Sequence, residues 1–418
     1  MKLLVIIILQ ISFNFVKCYP YRLYEHINDR YRFFSTATVY KYVAPVVRFP
    51  ESNCEVLQIW MVVRHGTRFP SNNIIANISE LHNYLSINKM TSQLKNEEVD
   101  KLNLWTFKLK DEHAEKIIEQ GYNDMTFLGR NIRNLYKDIF KDNFNSQDFK
   151  VIVSPETRCK ESAIMFLNEA FQKVIDENEL EKMDLFDARF NLVNRVKTMV
   201  TDFETNFING PEIHKVIENV ARILGLDNLL DFNIVKAMHD ACRYQKAKDI
   251  NFDSPWCAVF TDDDLKVLEY YYDLKYYYSH GYGNMNNVQE SMAIIQDLIN
   301  NFDNKDQNKS GPKGVFYFGH TANVFSVIVG LGYAKDTIHL TDTNFASMKD
   351  RKWRTSYLDP FSSNIRAVLY KCGNDIKVTF FINDAPMYVE QYDCTLCSWD
   401  SIKQLLDSQY DQLIQIDK

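Results

Sequence analysis

The 418-residue chain predicts an α/β fold, a sheet-based domain with a long, mostly helical insertion. Three observations lead there. Short apolar runs at 56–63, 149–153 and 315–318 are bounded by Gly, Pro and polar clusters and read as buried strands. From about 165 to 303, helical periodicity dominates and alternating strands are scarce. A second strand-rich section follows, with strands at 365–370 and 377–382 joined by a turn at Gly373 and Asn374. The expected division is 19–160 plus 305–395 for the sheet domain, 161–304 for the insertion and 396–418 for a C-terminal tail.

Residues 1–18 carry a lone Lys2 followed by an apolar run to about Val16. This run is too short to span a bilayer and reads as a signal peptide. No second long apolar run follows, so a secreted, soluble mature chain starting near Tyr19 is expected. The sequons at Asn77 and Asn308 agree with secretion, and the C-terminal Gln415-Ile416-Asp417-Lys418 is no retrieval signal. The formal net charge of −7 becomes more negative once Lys2 and Lys17 are removed, which argues against nucleic-acid binding. An anionic ligand must then be held by a local basic pocket.

Eight cysteines are present, and Cys18 leaves with the signal. In an oxidising compartment most of the others should pair. Cys242 and Cys257 are close in sequence. Cys54 and Cys372 each flank an apolar run and could tie two strands together. Cys394 and Cys397 could close a tight loop, which leaves Cys159 odd. A zinc site at Cys394 and Cys397 is the weaker alternative, since no histidine stands at ligand spacing.

Helices are expected at 114–137, 162–175 and 323–331 around the strands, and at 211–224, 233–244 and 262–278 in the insertion. Gly121 interrupts the first of these. The tyrosine-rich stretch 270–278 reads as scaffold.

Each of the three apolar runs delivers basic residues just past its end: Arg64-His65, then Arg158 after Ser154-Pro155-Glu156-Thr157, then His320 after Gly319. In open α/β sheets that edge is where ligands bind. A phosphate monoester carries about two negative charges at neutral pH. Its transfer needs charge neutralisation and an in-line nucleophile. Arg64, Arg68 and Arg158 suit the first task, because guanidinium groups grip phosphate oxygens bidentately. A neutral His65 suits the second, as an acceptor forming phosphohistidine. His320 would bind a phosphoryl oxygen, and no metal or other cofactor is required. Taken singly, a histidine is more often structural and an arginine more often pairs with a carboxylate. Lys160 reads as a solvated surface residue.

The run Arg64-His65-Gly66-Thr67-Arg68-Phe69-Pro70 resembles the signature of the histidine acid phosphatases and phytases (branch 2). Glu119-Gln120-Gly121-Tyr122-Asn123-Asp124-Met125, Arg158-Cys159-Lys160-Glu161-Ser162, Gly210-Pro211-Glu212 and Ser254-Pro255-Trp256-Cys257 are similar to the multiple inositol polyphosphate phosphatase subfamily. So are Gly281-Tyr282-Gly283, Phe318-Gly319-His320 and Ser363-Asn364-Ile365. The likeness runs from about residue 50 to 390. It implies the phosphoglycerate-mutase-like histidine phosphatase fold with a helical insertion. It also implies hydrolysis of inositol polyphosphates, such as phytate, with His65 as nucleophile, Arg64, Arg68 and Arg158 on the phosphate, and His320 as the second active-site histidine. A phosphoglycerate mutase shares the Arg-His-Gly start, but the leader, the sequons and the middle segment argue against one.

One position departs. The subfamily carries Ala-Glu after the second histidine, and the Glu protonates the leaving alkoxide. Here the run is His320-Thr321-Ala322-Asn323, so Ala322 stands in the acid's place. The acid phosphatase branch carries Asp directly after that histidine, where this chain has Thr321. Two readings follow: a secreted inositol polyphosphate phosphatase slowed at its protonation step, or a weak or inactive relative that binds phosphorylated ligands or a protein. The sequence holds no signal of oligomeric state.

Overall fold

The computed structural model describes residues 30–44, 54–87, 93–141, 144–175, 202–226, 230–307 and 311–416. The leader 1–18 and the sequon at Asn308 lie outside them. A mixed sheet forms the centre, built from β1 (Glu55–Arg64), β2 (Phe149–Val153), β3 (Gly314–Gly319), β4 (Asn364–Cys372), β5 (Asp375–Ile382), β6 (Ala385–Pro386) and β7 (Cys397–Ser398). The order is β2-β3-β1-β4-β5-β6, with β7 also on β5. β2 and β3, and β3 and β1, pair in parallel, while β4 and β5 run antiparallel.

The uninterrupted apolar runs are explained by cover on both faces. Ile59, Met61 and Val63 of β1 join Phe316 and Phe318 of β3 in a core with α3 (Glu119–Leu135) and α4 (Thr157–Phe171). Their alternates Trp60, Val62, Val315 and Tyr317 face the other way, into a larger core. That core includes α6 (Pro211–Leu224), α7 (Phe232–Lys248), α8 (Asp262–His280), α9 (Met285–Asp306) and α10 (Thr321–Gly330). Asp297 of α9 pins this face, accepting from Trp60 Nε1 at 3.0 Å and from the Tyr317 hydroxyl at 2.6 Å.

Between β2 and β3 the described elements are helical, including a short α5 (Asp202–Ile208). Several helices differ in extent from expectation. The one expected at 114–137 starts at Glu119, because residues 114–118 are drawn out against the 67–70 loop by an Arg68–Ile117 bridge and the Glu115 amide's bond to the Pro70 carbonyl. The helices expected at 162–175 and 323–331 start at Thr157 and Thr321, so each follows its strand almost at once. Sequence periodicity missed α1 (Asn72–Ile87), α2 (Asn96–Asn103) and the four-residue α11 (Thr355–Leu358). The stretch from 396 is built into the fold: β7 pairs with β5, and α12 (Trp399–Ile416) buries Trp399, Ile402 and Leu406.

The disulfides are Cys54–Cys372, Cys242–Cys257 and Cys394–Cys397, and Cys159 is free and buried. The first closes the neighbouring ends of β1 and β4, where Glu55 faces Lys371. The α8 tyrosines are scaffold: Tyr270 donates to the Thr341 carbonyl, Tyr271 to Glu204 and Tyr272 to Asp240.

Candidate active site

The parallel strands carry their basic residues to one edge. Arg64 lies opposite Gly319, and one residue on, the His65 amide donates to the Gly319 carbonyl at 2.9 Å. His65 and His320 thus leave adjacent strands side by side, with ring centroids 5.6 Å apart. On the far side of β3 the Ser154 amide bonds to the Phe318 carbonyl. The chain then turns into α4, placing Arg158 in its first turn.

Two glycines make the loop after β1 possible. A Cβ on Gly66 would stand 2.7 Å from the Gly121 carbonyl oxygen, and one on Gly121 would stand 2.2 Å from the Thr67 carbonyl oxygen. Backbone therefore packs on backbone where α3 meets the motif. The Gly66 amide donates to Ser162 Oγ at 2.9 Å, and that hydroxyl donates to the Arg158 carbonyl at 2.6 Å. Thr67 donates to the buried Asp124 of α3 at 2.9 Å. The motif loop is thus fastened to both α3 and α4.

His65 is buried, and its Nδ1 lies 2.9 Å from the Gly66 carbonyl oxygen. A carbonyl can only accept, so Nδ1 carries the proton and Nε2 keeps its lone pair. Burial, then the charges of Arg64 and Arg68 and the neighbouring His320, hold the His65 pKa well below the ordinary histidine value. The ring is a neutral imidazole at physiological pH, in the tautomer a nucleophile requires.

Arg64 forms the floor. Its Nη1 donates to the carbonyls of Thr36 at 2.7 Å and Asp359 at 2.9 Å, and the guanidinium lies over the Phe361 ring. Arg68, Arg158 and His320 keep 15%, 18% and 14% of their side chains exposed, so the pocket opens on them. The structure thus brings together all five residues singled out by sequence.

It adds three that sequence reasoning left without a role. Glu115 sits between two arginines, Oε1 at 3.8 Å from Arg68 Nη2 and Oε2 at 3.3 Å from Arg158 Nη1. Glu156 Oε2 lies 3.0 Å from His320 Nε2, and Ser154 Oγ lies 3.1 Å from the same nitrogen and donates to Glu156. Although burial works against it, hydrogen bonds from Ser154 and His320 lower the Glu156 pKa to about 2. Burial and the charges of Arg158 and Arg64 lower the His320 pKa, against the pull of Glu156. His320 Nδ1 faces Arg158 Nη2 at 3.5 Å, so both ring nitrogens are already engaged. The Ser154-Pro155-Glu156 run after a strand was the available signal for two of these residues. Nothing local marks Glu115.

Glu156, Cys159 and His320 bring metal-ligand atom types within 4.8 Å of one another. Burial raises the Cys159 thiol pKa, so it stays protonated at neutral pH, and Glu156 and Ser154 already occupy His320 Nε2. The set works as a hydrogen-bonded support for His320. The first turn of α10 holds Thr321, Ala322 and Asn323 and no carboxyl group. Ala322 is buried, and Asn323 Oδ1 caps the helix by accepting from the His320 amide at 2.8 Å.

Comparison with known proteins bears on the family and the fold. The family profile described as "Histidine phosphatase superfamily (branch 2)" matches residues 55–390. "Multiple inositol polyphosphate phosphatase 1" of Drosophila melanogaster is 28% identical over 395 residues, covering 89% of this chain and 84% of the relative. The crystal structure of a phytase from D. castellii superposes with a TM-score of 0.73 at 16% identity, covering 91% of this chain and 85% of that one. A multiple inositol polyphosphate phosphatase of Bifidobacterium longum, in complex with inositol hexasulfate, superposes with a TM-score of 0.63 at 13% identity, covering 91% and 98%.

Proposed function

The chain belongs to branch 2 of the histidine phosphatase superfamily and is a phosphomonoester hydrolase. From that premise we propose that it is secreted and hydrolyses inositol polyphosphates of the phytate type through phosphohistidine at His65. The observation that carries this reading is the neutral His65, its Nδ1 on the Gly66 carbonyl, within a ring of Arg64, Arg68 and Arg158. The arginines grip the phosphoryl oxygens, His65 Nε2 attacks phosphorus in line, and the alcohol departs from the opposite side. Water then cleaves the phosphoramidate bond and frees phosphate and His65.

The inositol polyphosphate class is supported by the relatives' names and by the inositol hexasulfate bound to the Bifidobacterium longum protein. Lys248 lies against Phe69, the neighbour of Arg68, where further phosphates of such a substrate would need cations. Secretion is supported by the apolar leader, the paired cysteines and the exposed sequon at Asn77 on α1.

A second reading rests on one observation, the absence of a carboxyl group from the first turn of α10. A poor leaving group then departs slowly, and the chain acts as a weak enzyme or a binder of phosphorylated ligands. General acid catalysis is worth about 10²–10⁴-fold, so its loss slows phytate more than p-nitrophenyl phosphate. The test is phosphate release from both substrates by the wild type and His65→Ala, with acid-labile phosphoenzyme trapped by rapid quench. The expected result is a phosphoenzyme in the wild type alone. Equal release by both proteins, with no trapped phosphoenzyme, rejects the phosphohistidine.

A further inference from the structure

A cavity of about 260 Å³ lies apart from the phosphate site, and none of Arg64, His65, Arg68, Arg158 or His320 lines it. It sits among β5, α11, α12 and the loop that follows α10. Phe380 and Ile382 of β5 face the larger core here, while Phe381 between them faces the smaller one. From α12, the buried Ile402 and Leu406 supply the facing wall, and Leu331 and Leu358 add to it. Gln409 packs close over Gly332, where a Cβ would stand 3.0 Å from its Nε2. Protein interiors hold few voids larger than a water molecule, so a space of this size needs an account.

The polar groups around it are of mainly one sign. Among the described residues lining the cavity, Lys335, Lys352 and Arg354 are basic and Glu390 is the one acid. Lys352 pairs with Glu390 at 3.3 Å. Lys335 is exposed, with its Nζ 5.6 Å above the Tyr282 ring. Arg354 donates to Glu269 through Nε and Nη2, at 3.2 Å and 2.9 Å, and its guanidinium lies over the Tyr357 ring. Its Nη1 makes no hydrogen bond among the described residues, and 17% of the side chain is exposed. The chain as a whole carries a formal charge of −7. The positive excess is therefore local, and it stands beside apolar walls.

We propose that this cavity binds an amphipathic anion, a saturated carboxylate of about eight carbons, with its chain between β5 and α12 and its head at Lys335 and Arg354. Apolar walls with a few placed polar groups are the usual form of a small-molecule site. Size sets the chain. An apolar cavity of about 150 Å³ takes benzene, so one of 260 Å³ takes roughly ten non-hydrogen atoms, the number in octanoate. Charge sets the head, because a carboxylate accepts the donor that Arg354 leaves open. A phosphorylated inositol does not suit the site, since its ring oxygens would lose water against Phe380 and Ile382 without gaining partners. The proposal does not depend on the phosphatase reading.

The test is calorimetric titration of the whole protein with hexanoate, octanoate and dodecanoate, each below its micelle concentration, and with 1-octanol as the uncharged match. Affinity should rise about fourfold per added methylene as far as octanoate and then level off. 1-Octanol should bind more weakly than octanoate. Lys335→Glu, at an exposed position, should weaken octanoate about fivefold and leave 1-octanol unchanged. Leu406→Trp fills the space and should abolish both. Saturating inorganic phosphate should leave octanoate binding intact. Displacement of octanoate by phosphate would place it on the arginines of the active site and overturn the proposal. Affinity that keeps climbing through dodecanoate, equal binding of octanoate and 1-octanol, or unchanged octanoate binding in Lys335→Glu would each overturn it as well, even if Leu406→Trp fails to fold. So would no binding of octanoate at about 1 mM.

Discussion

Gly121→Ala is a one-carbon change in a helix, where alanine is ordinarily the better residue by about 1 kcal/mol. The structure reverses that sign. The added Cβ would lie 2.2 Å from the Thr67 carbonyl oxygen, 2.7 Å from the Thr67 nitrogen and 3.0 Å from Ile117 Cγ2. Ordinary contact needs about 3.5 Å, so α3 and the motif loop must part by roughly 1 Å. Both nearest atoms are backbone and cannot rotate away. Overpacking of this kind costs about 1–3 kcal/mol, which outweighs the propensity gain. The loop that moves carries His65 and Arg68, and a misplacement of about 1 Å lowers turnover roughly 10²-fold, or about 2.7 kcal/mol of barrier. Urea denaturation and p-nitrophenyl phosphate kinetics on the purified variant measure both. A Gly121→Ala protein at least as stable as wild type, with kcat within twofold, would refute the close approach.

Other predictions follow from the same contacts. Ser162→Ala leaves the Gly66 amide without its acceptor and should cost about 1–3 kcal/mol in a denaturant melt, with a matching fall in kcat; unchanged values on both counts would refute it. Burial raises the Asp124 pKa to about 6, against hydrogen bonds from Gln120, Thr67 and Ser362. A raised carboxyl pKa means that this group's contribution is fully present below its ordinary value near 3.8 and is lost as pH rises through about 6. The span is of order 3 kcal/mol, and Asp124→Asn should flatten unfolding free energy between pH 4 and 7; an identical pH slope in variant and wild type would contradict it. Replacing Cys242 and Cys257 by serine opens a loop of sequence separation 15 and should cost about 3 kcal/mol. Chemical denaturation of the double variant checks this, and an unshifted midpoint counts against it.

The strands and their cargo were legible because chemistry and geometry share one local code. A buried parallel strand needs an unbroken apolar run, and the residue that ends the run is the one placed at the sheet edge. Arg64, His65, Arg158 and His320 could therefore be read together. The disulfide between Cys54 and Cys372 was legible for a related reason, since both cysteines flank runs that become neighbouring strands. Glu115 was not legible. It reaches the arginines because residues 114–118 extend along the motif loop, a tertiary pairing that looks helical in sequence. Asp359 was hidden differently: Asp359-Pro360 before a strand looks like turn chemistry, and its burial under Arg64 depends on β1 and β4 being adjacent. Helix α12 carries an apolar stripe at helical spacing, from Trp399 and Ile402 through Leu405 and Leu406 to Leu413, so its pattern was present in the sequence; it lies beyond the last strand pattern, in the stretch expected to be a tail.

Glu115 changes what it means for a ligand to arrive. Its carboxylate already stands between Arg68 and Arg158. An incoming phosphate therefore does not fill an empty cationic hole; it displaces a tethered anion. Binding becomes ion exchange at a fixed site, and its free energy is the difference between two pairings of the same arginines. In the unliganded pocket Glu115 offsets the charges of Arg68 and Arg158, and the released carboxylate stays attached, ready to return when product departs. Affinity can then be tuned at Glu115 through the two arginines it pairs with.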